Sequence, residues 1–282
     1  MKKIFTTIAA IMVAGLTFAQ TTKTDSTKKV NVDTIRVGDW TIITQRRTDS
    51  TGKTKDFKIA KPNKKNQNIR TNWWIMDLGF ANFRDKTNYA EANASGYFTP
   101  TTNNLALKKS DLELRNGKSS NVNLWLFMQR VNLSKHVLNL KYGFGLEMYN
   151  YRYETSINYD KSPARLFTDS VKFEKNKVYA GYATVPVMLT LKPSPNKKNG
   201  FSIGAGMSAG YLVASRDKQK NDGDKDKTKG NIGLDKWRLA YIAEVGLGPI
   251  KLYGSYSLNT FHEKETGIKQ YPFAVGARFS RL

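Results

Sequence analysis

The feature that most constrains this chain is a two-residue alternation of apolar with small or polar side chains, recurring in eight segments between Thr71 and the C-terminus. Successive side chains of a β-strand point to opposite faces, so period two marks a strand with two unlike faces. The clearest segment sets Leu138, Leu140, Tyr142, Phe144, Leu146 and Met148 against Asn139, Lys141, Gly143, Gly145 and Glu147. Another sets Phe201, Ile203, Met207 and Tyr211 against Ser202, Gly204, Gly206, Ser208 and Gly210. The first carries Trp74, Met76, Leu78 and Phe80 opposite Asp77, Gly79 and Ala81; the second carries Val122, Leu124, Leu126 and Met128 opposite Asn121, Asn123, Trp125 and Gln129. The last, Tyr271 to Ser280, alternates Phe273, Val275, Ala277 and Phe279 with Ala274, Gly276, Arg278 and Ser280. Segments around 179–191, 237–247 and 250–258 follow the same rule.

The connections obey a second alternation. Ser134-Lys135-His136, Pro193 to Gly200 and Gly248-Pro249 are short, whereas the gaps near 86–118, 154–177, 215–233 and 259–269 are longer. Short turns on one side and long loops on the other, with an even strand count, describe an eight-stranded antiparallel transmembrane β-barrel with short periplasmic turns and long extracellular loops. The rival is a soluble, lipocalin-like barrel with the apolar face inside. Eight strands enclose a space only just wide enough for side chains to fill, and these Leu, Phe, Tyr and Met faces are too bulky for it. The opposite face, rich in Gly, Ala and Ser, suits a narrow interior and is a poor strand-former in water. The apolar face therefore points to lipid. Trp73 and Trp74 at one margin and Trp237 at the other, with Tyr271 and Phe279 bracketing the last segment, fit interfacial girdles.

The N-terminus supports export. Lys2 and Lys3 precede an apolar run from Ile4 to Phe18, and Thr17 and Ala19 place small residues before Gln20, so residues 1–19 read as a cleaved signal peptide. The run is short for a membrane anchor, which needs roughly 20 apolar residues. Residues 20–70 read as a periplasmic extension. Within it, Asp33 to Gln45 forms one arm of a hairpin, Asp49 to Lys53 the turn and Asp56 to Ile59 the return. The barrel occupies 71–282. With no cysteine, the chain has neither a disulfide framework nor a thiolate metal site.

A formal charge of +23 invites a nucleic-acid reading. Export opposes it, as does the scatter of lysines through tails, turns and loops. The expected partners are outer-membrane lipid, anionic lipopolysaccharide and no nucleic acid, with the chain a monomer. Phe18-Ala19-Gln20, Asp33-Thr34-Ile35-Arg36-Val37-Gly38, Asn132-Leu133-Ser134-Lys135-His136, Leu140 to Glu147 and Val275-Gly276-Ala277-Arg278-Phe279 together resemble the outer-membrane β-barrel family of Bacteroidota often called PorT-like, small OmpA-like barrels. The resemblance covers roughly 71–282 and implies an outer-membrane location and insertion by the barrel-assembly machinery. The aromatic Phe279 stands three residues before the end rather than at it.

Seven charged residues fall on the inward face: Asp77, Lys141, Glu147, Arg238, Glu244, Lys251 and Arg278. Buried charge persists only when paired and hydrogen-bonded, so they are expected to form an internal polar network with Glu147 and Glu244 as acceptors, plugging the lumen and fixing the register. A catalytic carboxylate dyad is the sharper alternative. A barrel hydrolase needs a histidine near the outer rim. Of the two histidines, His136 lies in a predicted periplasmic turn; His262 is left as the sole candidate, otherwise a solvated loop residue. Gly204-Ala205-Gly206 follows strand period and is no nucleotide loop. The Lys/Asp-rich stretch Asp217 to Gly230 reads as a mobile solvated loop, with saccharide phosphate or a divalent ion as its functional alternative. Tyr89, Tyr97 and Phe98 in the first long loop are candidates to meet a ligand. No catalytic residue, cofactor or metal is expected. The chain reads as a non-enzymatic barrel with a structural, surface-interaction or envelope-assembly role, with a small pore and a barrel hydrolase as alternatives.

Overall fold

The computed structural model describes residues 32–37, 40–46, 55–60, 67–100, 106–169, 173–195, 197, 200–222 and 224–280. They fall into two compact units divided at Lys64/Lys65. The first holds a three-stranded antiparallel meander of β1 (Val32–Val37), β2 (Trp40–Arg46) and β3 (Lys55–Ala60). The single arm expected over Asp33 to Gln45 is two strands, paired Val37 to Trp40, and the expected turn at 49–53 lies outside the described residues.

In the second unit the chain runs through β4 (Ile69–Asp85), α1 (Tyr89–Ala94), β5 (Phe98–Thr99), β6 (Ser120–Ser134), β7 (Leu138–Arg152), β8 (Ile157–Lys161) and β9 (Ala164–Thr168). It continues with β10 (Lys175–Leu191), β11 (Phe201–Asn221), β12 (Asp224–Lys229), β13 (Trp237–Leu247), β14 (Ile250–Ser257) and β15 (Gln270–Phe279). Strands β4, β6, β7, β10, β11, β13, β14 and β15 pair antiparallel in that order, and β15 returns to β4 with Gln270 opposite Asp85 and Phe279 opposite Met76. The eight-stranded barrel is closed. Closure leaves no open edge among these strands, as a lipid-embedded sheet requires.

The apolar faces point outward. Trp74, Phe80, Leu189, Met207, Tyr241, Leu252 and Val275 are all exposed, while Asp77, Lys141, Thr184, Ser208 and Arg238 on the alternate positions are buried. Aromatic pairs edge the apolar surface: Trp73 meets Phe127 at 5.8 Å near the short-turn end, and Tyr211 meets Trp237 at 5.0 Å near the long-loop end. In barrels of this kind those ends face periplasm and cell exterior respectively.

Bulges reset the alternation in three strands. Trp74 and Leu126 drop out of the β4–β6 pairing together, with Trp74 at φ +55°, and β6 slips by one residue against β7. Below the slip the phase of β6 inverts. Met128, expected on the lipid face, is instead fully buried beside Ile75 and Trp125. The third bulge, at Val213 in β11 opposite Gly181/Tyr182, turns Asp217 and Gln219 inward. An inserted residue exchanges the two faces of everything beyond it, which simple period counting misses.

The long loops are folded. The expected solvated loop at 217–230 is the distal half of β11 hairpinned to β12, and Asp217 within it has no exposed surface. Strands β5, β9 and β8 make a small sheet over the barrel mouth, and Asn88 caps α1 by accepting from Ala90 N at 3.2 Å. These elements share one apolar cluster with the upper lumen, including Ala92, Tyr97, Phe98, Leu107, Leu166, Ile232 and Phe261.

Candidate functional site

Inward positions of the lower lumen are mostly small, which makes room for long side chains to cross it. At Gly79 a Cβ would stand 2.6 Å from the Tyr253 hydroxyl, and at Gly145 one would stand 2.9 Å from the Trp125 ring. Into this space the structure brings all seven charged residues named from the sequence, each no more than 5% exposed. Lys141 Nζ lies 2.6 Å and Lys251 Nζ 3.3 Å from Glu244, whose Oε2 also accepts from Arg278 Nη1 at 2.8 Å. Arg278 Nε donates to Asp77 at 2.7 Å, and Arg238 Nη1 donates to Glu147 at 2.7 Å. Strands β7 and β13 are not neighbours, so the Lys141–Glu244 and Arg238–Glu147 pairs span the interior.

Neutral groups complete the coordination. Asp77 Oδ2 accepts from Trp125 Nε1 at 2.7 Å and Asn123 Nδ2 at 3.2 Å. Glu147 accepts from Thr184 Oγ1 at 3.2 Å, and Tyr253 donates across the lumen to Asn121 at 2.5 Å. Four cations face three carboxylates, and aromatic rings take up the excess positive charge: Arg238 lies 4.9 Å from the Tyr149 centroid and Arg278 5.4 Å from that of Trp125. The void among Asn123, Trp125, Glu147, Met188 and Tyr253 is only about 10 Å³, room for about one water. Trp125, Asn121, Asn123 and Tyr253 were not foreseen as network members because they carry no charge, although period two placed all four on the inward face.

Above the charges the lumen turns aromatic. Tyr149, Tyr151 and Tyr153 continue the inward parity of Glu147, and Tyr149 stacks on Tyr151 at 5.8 Å. The interior is thus not lined only by Gly and Ser, as the lower strands imply. His262, expected in solvent, is fully buried, stacked on Tyr159 at 5.9 Å with 6° between the planes. Its Nε2 is 3.1 Å from the Tyr159 hydroxyl, which is 2.8 Å from that of Tyr153. Burial holds the imidazole down at about 3, neutral at physiological pH. The ring is thus held in the core of the cap by Tyr159 and is not the solvated loop residue expected from the sequence. His136 is in the turn between β6 and β7 at φ +58°, as expected. Tyr97 and Phe98, expected to meet a ligand, are core residues of the cap, with Tyr97 donating to Ile232 O at 2.6 Å. Tyr89, half-buried, donates to Asp85 at 2.5 Å. A cleft of about 300 Å³ at the outer rim lies between these elements, lined by Asn82, Asp85, Glu113, Glu154 and Gln270 among others. Among the described residues no His, Cys, Asp and Glu group could hold a metal ion.

Residues 82–263 match the family described as "Outer membrane protein beta-barrel domain". The search of curated proteins found no match.

Proposed function

Because the chain belongs to the outer-membrane β-barrel domain family, we propose that it works in the outer membrane as a sealed, non-enzymatic, monomeric barrel with a structural or surface-interaction role in the envelope. One observation carries this reading: five buried ion pairs bind strands β4, β7, β13, β14 and β15 around the lumen, beneath an aromatic plug. A buried charge released from its partner costs about 3–5 kcal/mol, so opening the lumen is opposed at each pair. The barrel then acts as a platform for its folded outer cap, not as a conduit. The network's second role is to hold the register.

Finer assignments rest on the sequence. The short motifs quoted above favour a PorT-like barrel of Bacteroidota. Residues 1–19 favour export by a cleaved signal, and 20–70 a periplasmic extension. The partners we propose are outer-membrane lipid and lipopolysaccharide, with the barrel-assembly machinery during insertion and no nucleic acid. Reconstitution into planar bilayers tests the sealed barrel against a small pore. The wild type is expected to pass no ionic current, while the double variant Glu147→Gln/Glu244→Gln becomes less stable or conducts. Steady conductance by the wild type contradicts the proposal.

A further inference from the structure

Above the apolar surface, β7, β10, β11 and β12 lie side by side. Their registers set Arg152 opposite Lys177, Lys177 opposite Lys218, and Lys218 opposite Lys227, a straight row of four cations across four strands. In the next row towards the membrane, Tyr179 is opposite Arg216 and Arg216 opposite Lys229. Residues directly opposite one another share a face at roughly 5 Å, and like charges so placed repel.

That face is the outer one. Arg152 has the parity of Leu146 and Met148, Lys177 that of Val187 and Leu189, and the bulge at Val213 sends Lys218 outward as it sends Asp217 and Gln219 inward. The alternation of Lys and Asp in β12 completes the sorting: Lys227 and Lys229 join the cationic face, while Asp226 stands opposite the inward Gln219. A stretch that looks charge-balanced in sequence is thereby segregated by strand geometry.

The height of the row suggests what neutralises it. Lys177 is two residues beyond Tyr179 on the same face, about 7 Å along the strand, and Tyr179 carries the Arg216 guanidinium 5.2 Å above its ring. The Tyr211–Trp237 pair lies in the row of Ala183, four residues nearer the membrane along β10; aromatic margins sit at headgroup level, so the cationic rows stand on the outer side of that margin. Along the row Arg152 Nη2 donates to Glu174 O at 2.9 Å and Lys177 Nζ to Asn150 Oδ1 at 2.9 Å, both neutral acceptors, and beside it Lys220 pairs with Glu174 at 2.8 Å.

We propose that Arg152, Lys177, Arg216 and Lys218 form a binding ladder for the phosphates of lipopolysaccharide in the outer leaflet. The assignment rests on the outer-membrane placement argued above. Charge complementarity and continuity with the lipid-facing surface select this occupant, and guanidinium groups offer phosphate a charge-assisted, two-pronged contact.

The full-length protein, refolded in detergent, is titrated with lipopolysaccharide, with the same lipopolysaccharide stripped of phosphate, and with inorganic phosphate. Lys177→Gln/Lys218→Gln is expected to bind intact lipopolysaccharide about tenfold more weakly. Lys177→Arg/Lys218→Arg keeps the affinity, and so does the control Arg84→Gln/Lys86→Gln, which removes equal charge elsewhere on the rim. Without ligand, the Gln pair is expected to resist unfolding at least as well as wild type, because a repulsion has been relieved; a lower resistance assigns the row a structural role and overturns the proposal. Equal binding by wild type and the Gln pair, or wild-type affinity that survives removal of the phosphates, overturns it as well. Inorganic phosphate bound as tightly as the glycolipid overturns the lipid assignment. Heat-modifiable gel mobility and outer-membrane fractionation report separately on the underlying barrel, so its failure is distinguishable from that of the ladder.

Discussion

The lower lumen is filled by Asp77, Lys141, Glu147, Arg238, Glu244, Lys251 and Arg278, and the upper lumen by Tyr149, Tyr151, Tyr153, Tyr159, Tyr182 and Phe261. Both fillings are buried, but their chemistry is opposite. In the ionic half each charge depends on partners from other strands, so one missing group strands several. In the aromatic half contacts are numerous, individually weak and spread over four loops. The ionic half is therefore expected to be brittle and to fix register, and the aromatic half to be tolerant and to tie the cap to the barrel.

The widest expected gap between the halves comes from Glu244→Gln. Glu244 meets Lys141, Lys251 and Arg278, and uncoupling a buried charge costs about 3–5 kcal/mol. Urea unfolding in lipid vesicles is expected to show that loss, with the whole barrel melting at lower denaturant. Loss confined to the cap would show that the ionic half is not brittle.

In the aromatic half, Tyr159→Phe leaves Tyr153 and His262 without their shared partner. A stranded buried polar group costs about 1–3 kcal/mol. Limited proteolysis is expected to cut the cap loops faster while heat-modifiable mobility of the barrel persists; joint loss would merge the two halves into one cooperative unit.

Acid should separate them further. Burial depresses the His262 pKa from 6.5 to about 3, so the folded cap binds fewer protons than the unfolded one between those values. Stability rises with pH across this window; the His262 contribution is complete above 6.5 and drains away as pH falls toward 3. The protection of cap amides, corrected for the intrinsic exchange rate at each pH, is expected to fall as pH drops through that range in the wild type and to lose this dependence in His262→Gln. Identical profiles would remove His262 from the account. The smallest effect belongs to Asp160→Asn, which breaks only the solvent-exposed pair with Arg165 at 3.1 Å. Its unfolding midpoint is expected to match wild type, since exposed pairs add little.

The two halves also differ in how far the sequence disclosed them. The ionic half was readable because period two and charge coincide: Glu147 and Lys141 stand on the small-residue face of β7, and nothing but partnered burial accommodates them there. The aromatic half was hidden by distance along the chain. Ile157, Ile232 and Ile268 sit singly among polar loop residues, and with Ala92, Leu107 and Leu166 they become a core only when four loops converge. His262 in Phe261-His262-Glu263-Lys264 looks solvated for the same reason. Met128 and Asp217 were misplaced for a different one, since bulges at Trp74/Leu126 and at Val213 invert parity without any local marker as plain as Gly or Pro.

Single-channel recording on the reconstituted wild-type protein tests the sealed lumen most directly. A silent bilayer is predicted at every applied voltage, because the ion pairs from Lys141 to Glu244 and from Arg238 to Glu147 cross the lumen. Reproducible conductance steps from the unmodified protein would contradict it.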